Sequence, residues 1–158
     1  DQAATVDAIV HALDWFAREC GGDPKRVMVL QPTSPLRGPA CLTGAIAALE
    51  SHADADAVVG MRHLHVPSAI AYQVDDAGYA RPIAQAGELV ANGAVYLVRT
   101  AALRAHRSLY PPQTLPWVMD DVSSIDIDTD SDWRLAEAAL AMSAASEPEA
   151  ATSGRAQS

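Results

Sequence analysis

The sequence predicts an α/β layered fold with a mainly parallel sheet. Stretches with the apolar period of a helix alternate along the chain with short, almost wholly apolar runs, which are typical of strands covered on both faces. The chain has 158 residues, of which 49% are hydrophobic and 20% charged. One ordinary domain of this size buries a core without needing disulfides or a structural metal, and this composition argues against wholesale disorder.

The individual elements follow from apolar spacing and from the residues that interrupt it. Gly21 and Gly22 end the first helix, and 75–78 forms a turn after a strand. The predicted helices cover 6–20, 40–52, 100–106 and 133–142, and the predicted strands cover 26–30, 57–61, 70–74, 95–98 and 124–128. We expect a domain over residues 1–142 and, because large apolar residues stop there, a disordered tail over 143–158.

The charge balance narrows the class of partner. Lys and Arg number 11 against 20 Asp and Glu, which gives a net charge of −9. Nucleic acids and anionic membranes bind through excess positive charge, so neither is an expected partner. Cys20 and Cys41 stand far apart without metal-binding spacing, which suits a reducing compartment. Since no signal segment or membrane-length apolar run is present, we expect a cytoplasmic protein.

A proline-rich segment, Gln31-Pro-Thr-Ser-Pro-Leu-Arg37, directly follows the first buried strand. Open α/β sheets bind ligands at the carboxyl ends of their parallel strands, and two prolines keep such a loop rigid. The side chains of Gln31, Thr33 and Ser34 suit sugar or phosphate oxygens. Arg37 suits an anion. A rigid turn, with Arg37 in solvent or beside a carboxylate, explains the segment equally well.

The pair Asn92-Gly93 precedes another apolar run. Asn-Gly is first of all a hairpin-turn signal. Because the pair stands just before a strand, it also fits a ligand cleft, in which Asn92 presents its amide and Gly93 lets a ligand approach the backbone. The residues alone leave both interpretations open.

The acidic stretch 124–132 carries the strongest chemical signal. In a strand, Asp126 and Asp128 share one face, and two adjacent carboxylates are relieved of their repulsion by a divalent cation. Mg²⁺ is typically held by one or two carboxylates together with substrate phosphates and water. Thr129 and Asp132 have the spacing of a capping box at the start of the last helix.

A calcium-binding loop is the alternative interpretation of this stretch. Asp126, Asp128 and Asp130 match the first three ligand positions of such a loop, and Glu137 matches the last. Ser131 stands where the sharp turn of that loop requires glycine, and the preceding residues suggest a strand instead of a helix.

Taken together, Leu30–Arg37, Asn92–Tyr96, Ser124–Thr129 and Asp132–Glu137 resemble the acylneuraminate cytidylyltransferase family, the CMP-sialic acid synthetases and their bacterial relatives. The resemblance covers about residues 1–142. It implies a nucleotide-diphosphosugar-transferase-like, Rossmann-like three-layer sandwich that lacks the family's first strand and phosphate loop. It also implies transfer of CMP from CTP to a nonulosonic (sialic-type) acid, with release of pyrophosphate.

The resemblance assigns roles residue by residue. Asp126 and Asp128 become the catalytic, metal-binding pair for Mg²⁺ and the CTP phosphates, whereas Tyr96, Leu109 and Tyr110 line a pocket for the sugar's acyl group. The predicted substrate-binding residues are Gln31, Thr33, Ser34, Arg37, Asn92, Gly93, Tyr96, Leu109 and Tyr110. The family also allows a homodimer. Two other functions stay open: a truncated, non-catalytic relative that acts as a binding or partner subunit, and a calcium-binding module.

Overall fold

The computed structural model describes residues 2–64, 72–74, 76, 78, 80–82 and 89–146. Helices and strands follow one another along this part of the chain, as expected for an α/β fold. In chain order they are α1 (Gln2–Cys20), β1 (Arg26–Val29), α2 (Pro39–Ser51), β2 (Ala57–His63), β3 (Tyr72–Val74), β4 (Ala80–Pro82), β5 (Leu89–Arg99), α3 (Thr100–His106), β6 (Thr114–Val118) and α4 (Asp130–Ser146).

The main described sheet has four strands in the order β1-β5-β2-β6. The prediction of a mainly parallel sheet is wrong, because β5 pairs antiparallel with both β1 and β2 and only β2 and β6 pair parallel. The strands β1, β2 and β6 share one direction, but the reversed β5 stands between two of them. The chain reaches β5 from β2 through the antiparallel pair β3–β4, with no helix among the described residues between them. A parallel arrangement of β2 and β5 would need a long crossover connection, usually a helix, between them.

Helices cover both faces of this sheet, so the described part of the chain has three layers. On one face, Leu13 of α1 and Leu103 of α3 belong to a buried cluster with Val59. On the other face, Leu49 of α2 belongs to a buried cluster with Val58. Successive residues of a strand point to opposite faces, which is why neighbours on β2 enter different clusters. The short apolar runs in the sequence reflect this two-sided burial.

Most predicted elements are present with shifted ends. The strand β6 was not predicted, because Pro116 interrupts its pattern; proline is tolerated there since β6 lies at the edge of the described sheet. The helix α4 continues past Met142 to Ser146, and residues 147–158 of the expected tail lie outside the described part.

The strand predicted over 124–128 is wrong. This stretch is instead a turn followed by chain without regular secondary structure. The backbone N–H groups of Ser124 and Ile125 donate to the carbonyl oxygens of Asp120 and Val122, at 3.1 and 3.2 Å. That bonding closes a turn locally and leaves no ladder with a neighbouring strand.

Among the described helices, none combines the length and the apolar character that crossing a bilayer requires.

We expect Leu49→Ala to lower the free energy of unfolding by about 2–5 kcal/mol, because this side chain is 1% exposed and its loss leaves a cavity beneath α2. Leu140→Ala on α4 is the matched control, since Leu140 is 56% exposed and should change stability by at most about 0.5 kcal/mol. Urea unfolding of both variants measures the difference. Equal losses would contradict the packing of α2 on the sheet.

Candidate functional site

A cavity of about 580 Å³ gathers residues that are far apart in the sequence. They come from the loop after β1, from β2 and β5, from the loop before β6, from the stretch between β6 and α4, and from the start of α4. Most of the predicted site residues line it, namely Gln31, Asn92, Gly93, Tyr96, Tyr110, Asp126 and Asp128. The other predicted residues, Thr33, Ser34, Arg37 and Leu109, are not among the described residues of its wall.

A bulge in β5 carries Asn92 and Gly93 to the cavity. Val59 pairs with Tyr96 and Met61 pairs with Ala91, so residues 92–95 lie opposite Gly60 alone. A bulge of this kind bends a strand and turns its side chains in new directions. The Asn-Gly pair is therefore neither a hairpin turn nor the start of a strand; it lies inside β5.

Gly93 brings three segments into contact. Its φ is +77°, a left-handed conformation that favours glycine. A Cβ built on it would lie 2.6 Å from Gln31 Oε1, 3.1 Å from Asp126 Oδ2 and 3.3 Å from Ser34 Oγ. Any other residue at position 93 would push against the loop after β1 and against the acidic segment at once.

Asn92 is buried, at 5% exposed, and its amide is bonded to the protein. Its Nδ2 group donates to Ser124 Oγ at 2.8 Å and lies 3.3 Å from Met119 Sδ, and its Oδ1 accepts from the Ala94 N–H at 3.2 Å. A Cβ on Gly60 would lie only 2.6 Å from that Oδ1. Asn92 thus fastens the β5 bulge to the segment that carries Asp126.

Hydrogen bonds within the loop after β1, and from that loop to residues 126–127, hold the loop in place. Ser34 is fully buried, and its hydroxyl donates to Asp126 Oδ1 at 3.1 Å. Arg37 Nη1 donates to the carbonyl oxygens of Gln31 and Ser34, at 2.7 and 2.6 Å. The carbonyl of Thr33 accepts from the Ile127 N–H at 2.8 Å. In this structure these side chains shape the loop that presents Gln31.

Two tyrosines form an aromatic part of the wall. The rings of Tyr96 and Tyr110 meet edge to face, with centroids 5.7 Å apart at 88°, and the Tyr110 hydroxyl donates to the Tyr96 oxygen at 3.3 Å. Burial raises the pKa of Tyr96 far above its ordinary value, and Tyr110 and the charge of Asp126 add to that. Tyr96 therefore stays a neutral phenol. Leu109 packs in the core beside Tyr96.

Sequence reasoning missed several lining residues. Arg62, Asp121, Ser124 and Asp132 all reach the cavity. Arg62 stands one residue beyond the predicted strand 57–61, so the same strand-end argument that singled out Gln31 could have found it. Asp121 belongs to a segment between β6 and α4 whose course depends on the unpredicted β6.

Asp132 has the capping role that the sequence predicted for it. Its Oδ2 accepts from the Thr129 N–H and from the Thr129 hydroxyl, both at 2.8 Å, and the Asp132 N–H reaches Thr129 Oγ1 at 3.3 Å. The hydrogen bond from the Thr129 side chain holds the pKa of Asp132 below its ordinary value. These reciprocal bonds fix where α4 begins.

The donor chemistry of the cavity fits Mg²⁺ bound together with a ligand. Asp126 and Asp128 supply carboxylate oxygens, and neither forms an ion pair with a basic side chain of the described residues. No group of three or more His, Cys, Asp or Glu side chains in the described part of the chain is placed to hold a metal ion. Mg²⁺ is typically held by one or two protein carboxylates, with substrate phosphates and water as its other ligands.

The sequence of this chain shows a cytidylyltransferase-like relationship. It is 30% identical over 123 residues to the CMP-N,N'-diacetyllegionaminic acid synthase of Legionella pneumophila, an alignment that covers 70% of this chain and 52% of the relative. The chain thus spans about half the length of that curated relative. No family model matches the chain.

We expect Gly93→Ala to destabilise the protein more than Gly78→Ala does. Gly78 has a similar φ of +85° but open space around it, so its alanine variant isolates the backbone strain, about 1–2 kcal/mol. The Gly93 variant adds the collision with Gln31 and should cost about 1–3 kcal/mol more. Urea unfolding measures both, and equal costs would show that Gly93 is not closely packed.

We expect Asp132→Asn to flatten the acid side of the stability profile. Because the folded pKa of Asp132 is lowered, its contribution is present above the unfolded value of about 3.9 and is lost as the pH falls through the folded value. Unfolding free energy measured from pH 6 downward should therefore fall less in the variant than in the wild type. Asp130→Asn, in the same helical turn, is the control for the loss of one negative charge at the start of α4.

Proposed function

We propose that this chain contributes the acidic, sugar-facing part of a nucleotidyltransferase that transfers CMP from CTP to a nonulosonic acid and releases pyrophosphate. The observation that carries the proposal is the meeting of Gln31, Gly93 and Asp126 at one cavity wall, around a glycine that accommodates no side chain. The relative from Legionella is a synthase of a CMP-linked acid by its name. A transferase of this kind needs one cavity that holds a polyphosphate and a polar sugar together.

The residues divide the work by their chemistry. Asp126 and Asp128 would hold Mg²⁺, which when bound neutralises phosphate charge and stabilises the departing pyrophosphate. Ser34 keeps one Asp126 oxygen oriented through its hydrogen bond. Gln31 offers an amide that donates and accepts, which suits sugar hydroxyls. The neutral phenol of Tyr96 and the ring of Tyr110 supply an apolar surface for an acyl substituent.

The reaction balances without a redox partner. The anomeric hydroxyl oxygen of the sugar attacks the α-phosphorus of CTP, and the new P–O bond forms as the bond between the α-phosphorus and the bridging oxygen breaks. The pair of electrons leaves with pyrophosphate, and the hydroxyl proton is released. The protein holds the two reactants in line, and alignment of this kind supplies a large part of the rate enhancement.

A non-catalytic relative is the second candidate function. Such a subunit would bind CTP or the acid without releasing pyrophosphate. The calcium-loop interpretation does not fit the fold, because α4 begins at Asp130 and makes helix of most of the positions that a calcium loop needs extended.

The experiment is a pyrophosphate-release assay with CTP, Mg²⁺ and a panel of acids that includes N-acetylneuraminate and N,N'-diacetyllegionaminate. We expect turnover that EDTA abolishes and that Asp126→Asn and Asp128→Asn each reduce about 100-fold or more, since each loses a charged metal ligand. Asparagine keeps the shape of the side chain, so the fold should survive.

Asp130→Asn is the matched control, because Asp130 starts α4 and is not among the described residues of the cavity wall. It should keep wild-type turnover. Titration of CTP by calorimetry separates the two candidate functions: CTP binding without pyrophosphate release supports the non-catalytic subunit. Turnover that survives in both Asp126→Asn and Asp128→Asn would refute the carboxylate pair as the metal site.

A further inference from the structure

Arg62 is the cation of the cavity wall among the described residues, and it comes from a different element than the acidic groups. It lies near the end of β2, opposite Val90 of β5, and is partly buried. It forms no hydrogen bond or ion pair with any described residue. The carboxylates of the wall all come from one stretch between β6 and the first turn of α4, namely Asp121, Asp126, Asp128 and Asp132.

We propose that Arg62 is a specificity-determining residue that pairs with the carboxylate of the acidic sugar. This inference rests on the proposed function and names the group that distinguishes an acid from a neutral sugar. The planar guanidinium of arginine presents two parallel N–H groups, which match the two oxygens of a carboxylate. An arginine held at a cavity wall without a partner among the described residues has these donors available to a ligand.

The charge distribution of the cavity supports a carboxylate at Arg62. A bare anion near Asp126 and Asp128 would be repelled, so the polyphosphate suits that side only in company with Mg²⁺. A sugar carboxylate brings no metal of its own and needs a cation from the protein. Among the described lining residues Arg62 is the side chain that meets this need.

An alternative role for Arg62 is general neutralisation of the acidic wall. In that role its loss would weaken or strengthen the binding of every charged ligand in parallel, without regard to which ligand carries a carboxylate. A comparison of the acid with CTP, an anion that carries no carboxylate, distinguishes the two roles. Neutralisation predicts that acid and CTP binding change together, whereas pairing predicts that binding of the acid alone changes relative to its neutral ester.

The experiment titrates N-acetylneuraminate, its methyl ester and CTP, in the presence of Mg²⁺, into wild-type protein and into Arg62→Gln, Arg62→Lys and Arg134→Gln. Arg134 lies on the exposed side of α4, outside the described cavity wall, so its variant removes the same charge elsewhere. We expect the wild type and Arg134→Gln to prefer the acid by about tenfold or more, which is the usual size of a charge-assisted hydrogen bond. Arg62→Gln should lose that preference, and Arg62→Lys should keep part of it.

A preference for the acid that survives in Arg62→Gln would overturn the inference while leaving the proposed function intact. Equal binding of acid and ester by the wild type would overturn it too. The pyrophosphate assay then decides separately whether the proposed function has failed. A loss of CTP binding in Arg62→Gln that matches the loss of acid binding would assign Arg62 to neutralisation of the wall and contradict the proposal.

Discussion

The close approach of the β5 backbone at Gly93 is the contact on which the cavity depends. Atoms of three side chains from two remote segments, Gln31, Ser34 and Asp126, lie 2.6–3.3 Å from the position that a Cβ of residue 93 would take. Gly93 lies in the β5 bulge, in which residues 92–95 face the single residue Gly60 on β2. Glycine at both positions permits a backbone-to-side-chain packing that a larger residue at either one would prevent.

Buried polar groups hold this arrangement together. Ser34 and Asn92 are almost wholly removed from water, and a buried polar group without a partner costs about 1–3 kcal/mol. Each has its partner on the segment between β6 and α4: Asp126 for Ser34, and Ser124 for Asn92. Both hydrogen bonds fix the position of that segment against the sheet. A segment without strand pairing thereby acquires a defined position for its carboxylates.

Several carboxylates lie close together between β6 and the start of α4, and hydrogen bonds stabilise two of them. Asp132 is stabilised by the hydrogen bonds of the α4 cap, which lower its pKa. Asp126 accepts a hydrogen bond from Ser34, and its remaining oxygen lies near Gly93, on the cavity side. The acidic wall and the neutral Tyr96 phenol thus give the cavity one side for charge and one for apolar groups.

The amino-acid sequence is enough to predict the alternation of helices and strands, the capping box at Thr129 and Asp132, and half of the described residues that line the cavity. These follow from local rules: apolar spacing, turn residues and carboxylate chemistry. The sequence did not determine the direction of β5 or the edge strand β6 with its proline, because strand pairing is a property of two remote segments and leaves little mark on either one. The sequence also did not distinguish Gln31, which lines the cavity, from Ser34 and Arg37, whose hydrogen bonds hold the loop in place. Those roles depend on tertiary contacts, since the direction of a side chain in a loop depends on the carbonyls and carboxylates that the rest of the fold places around it.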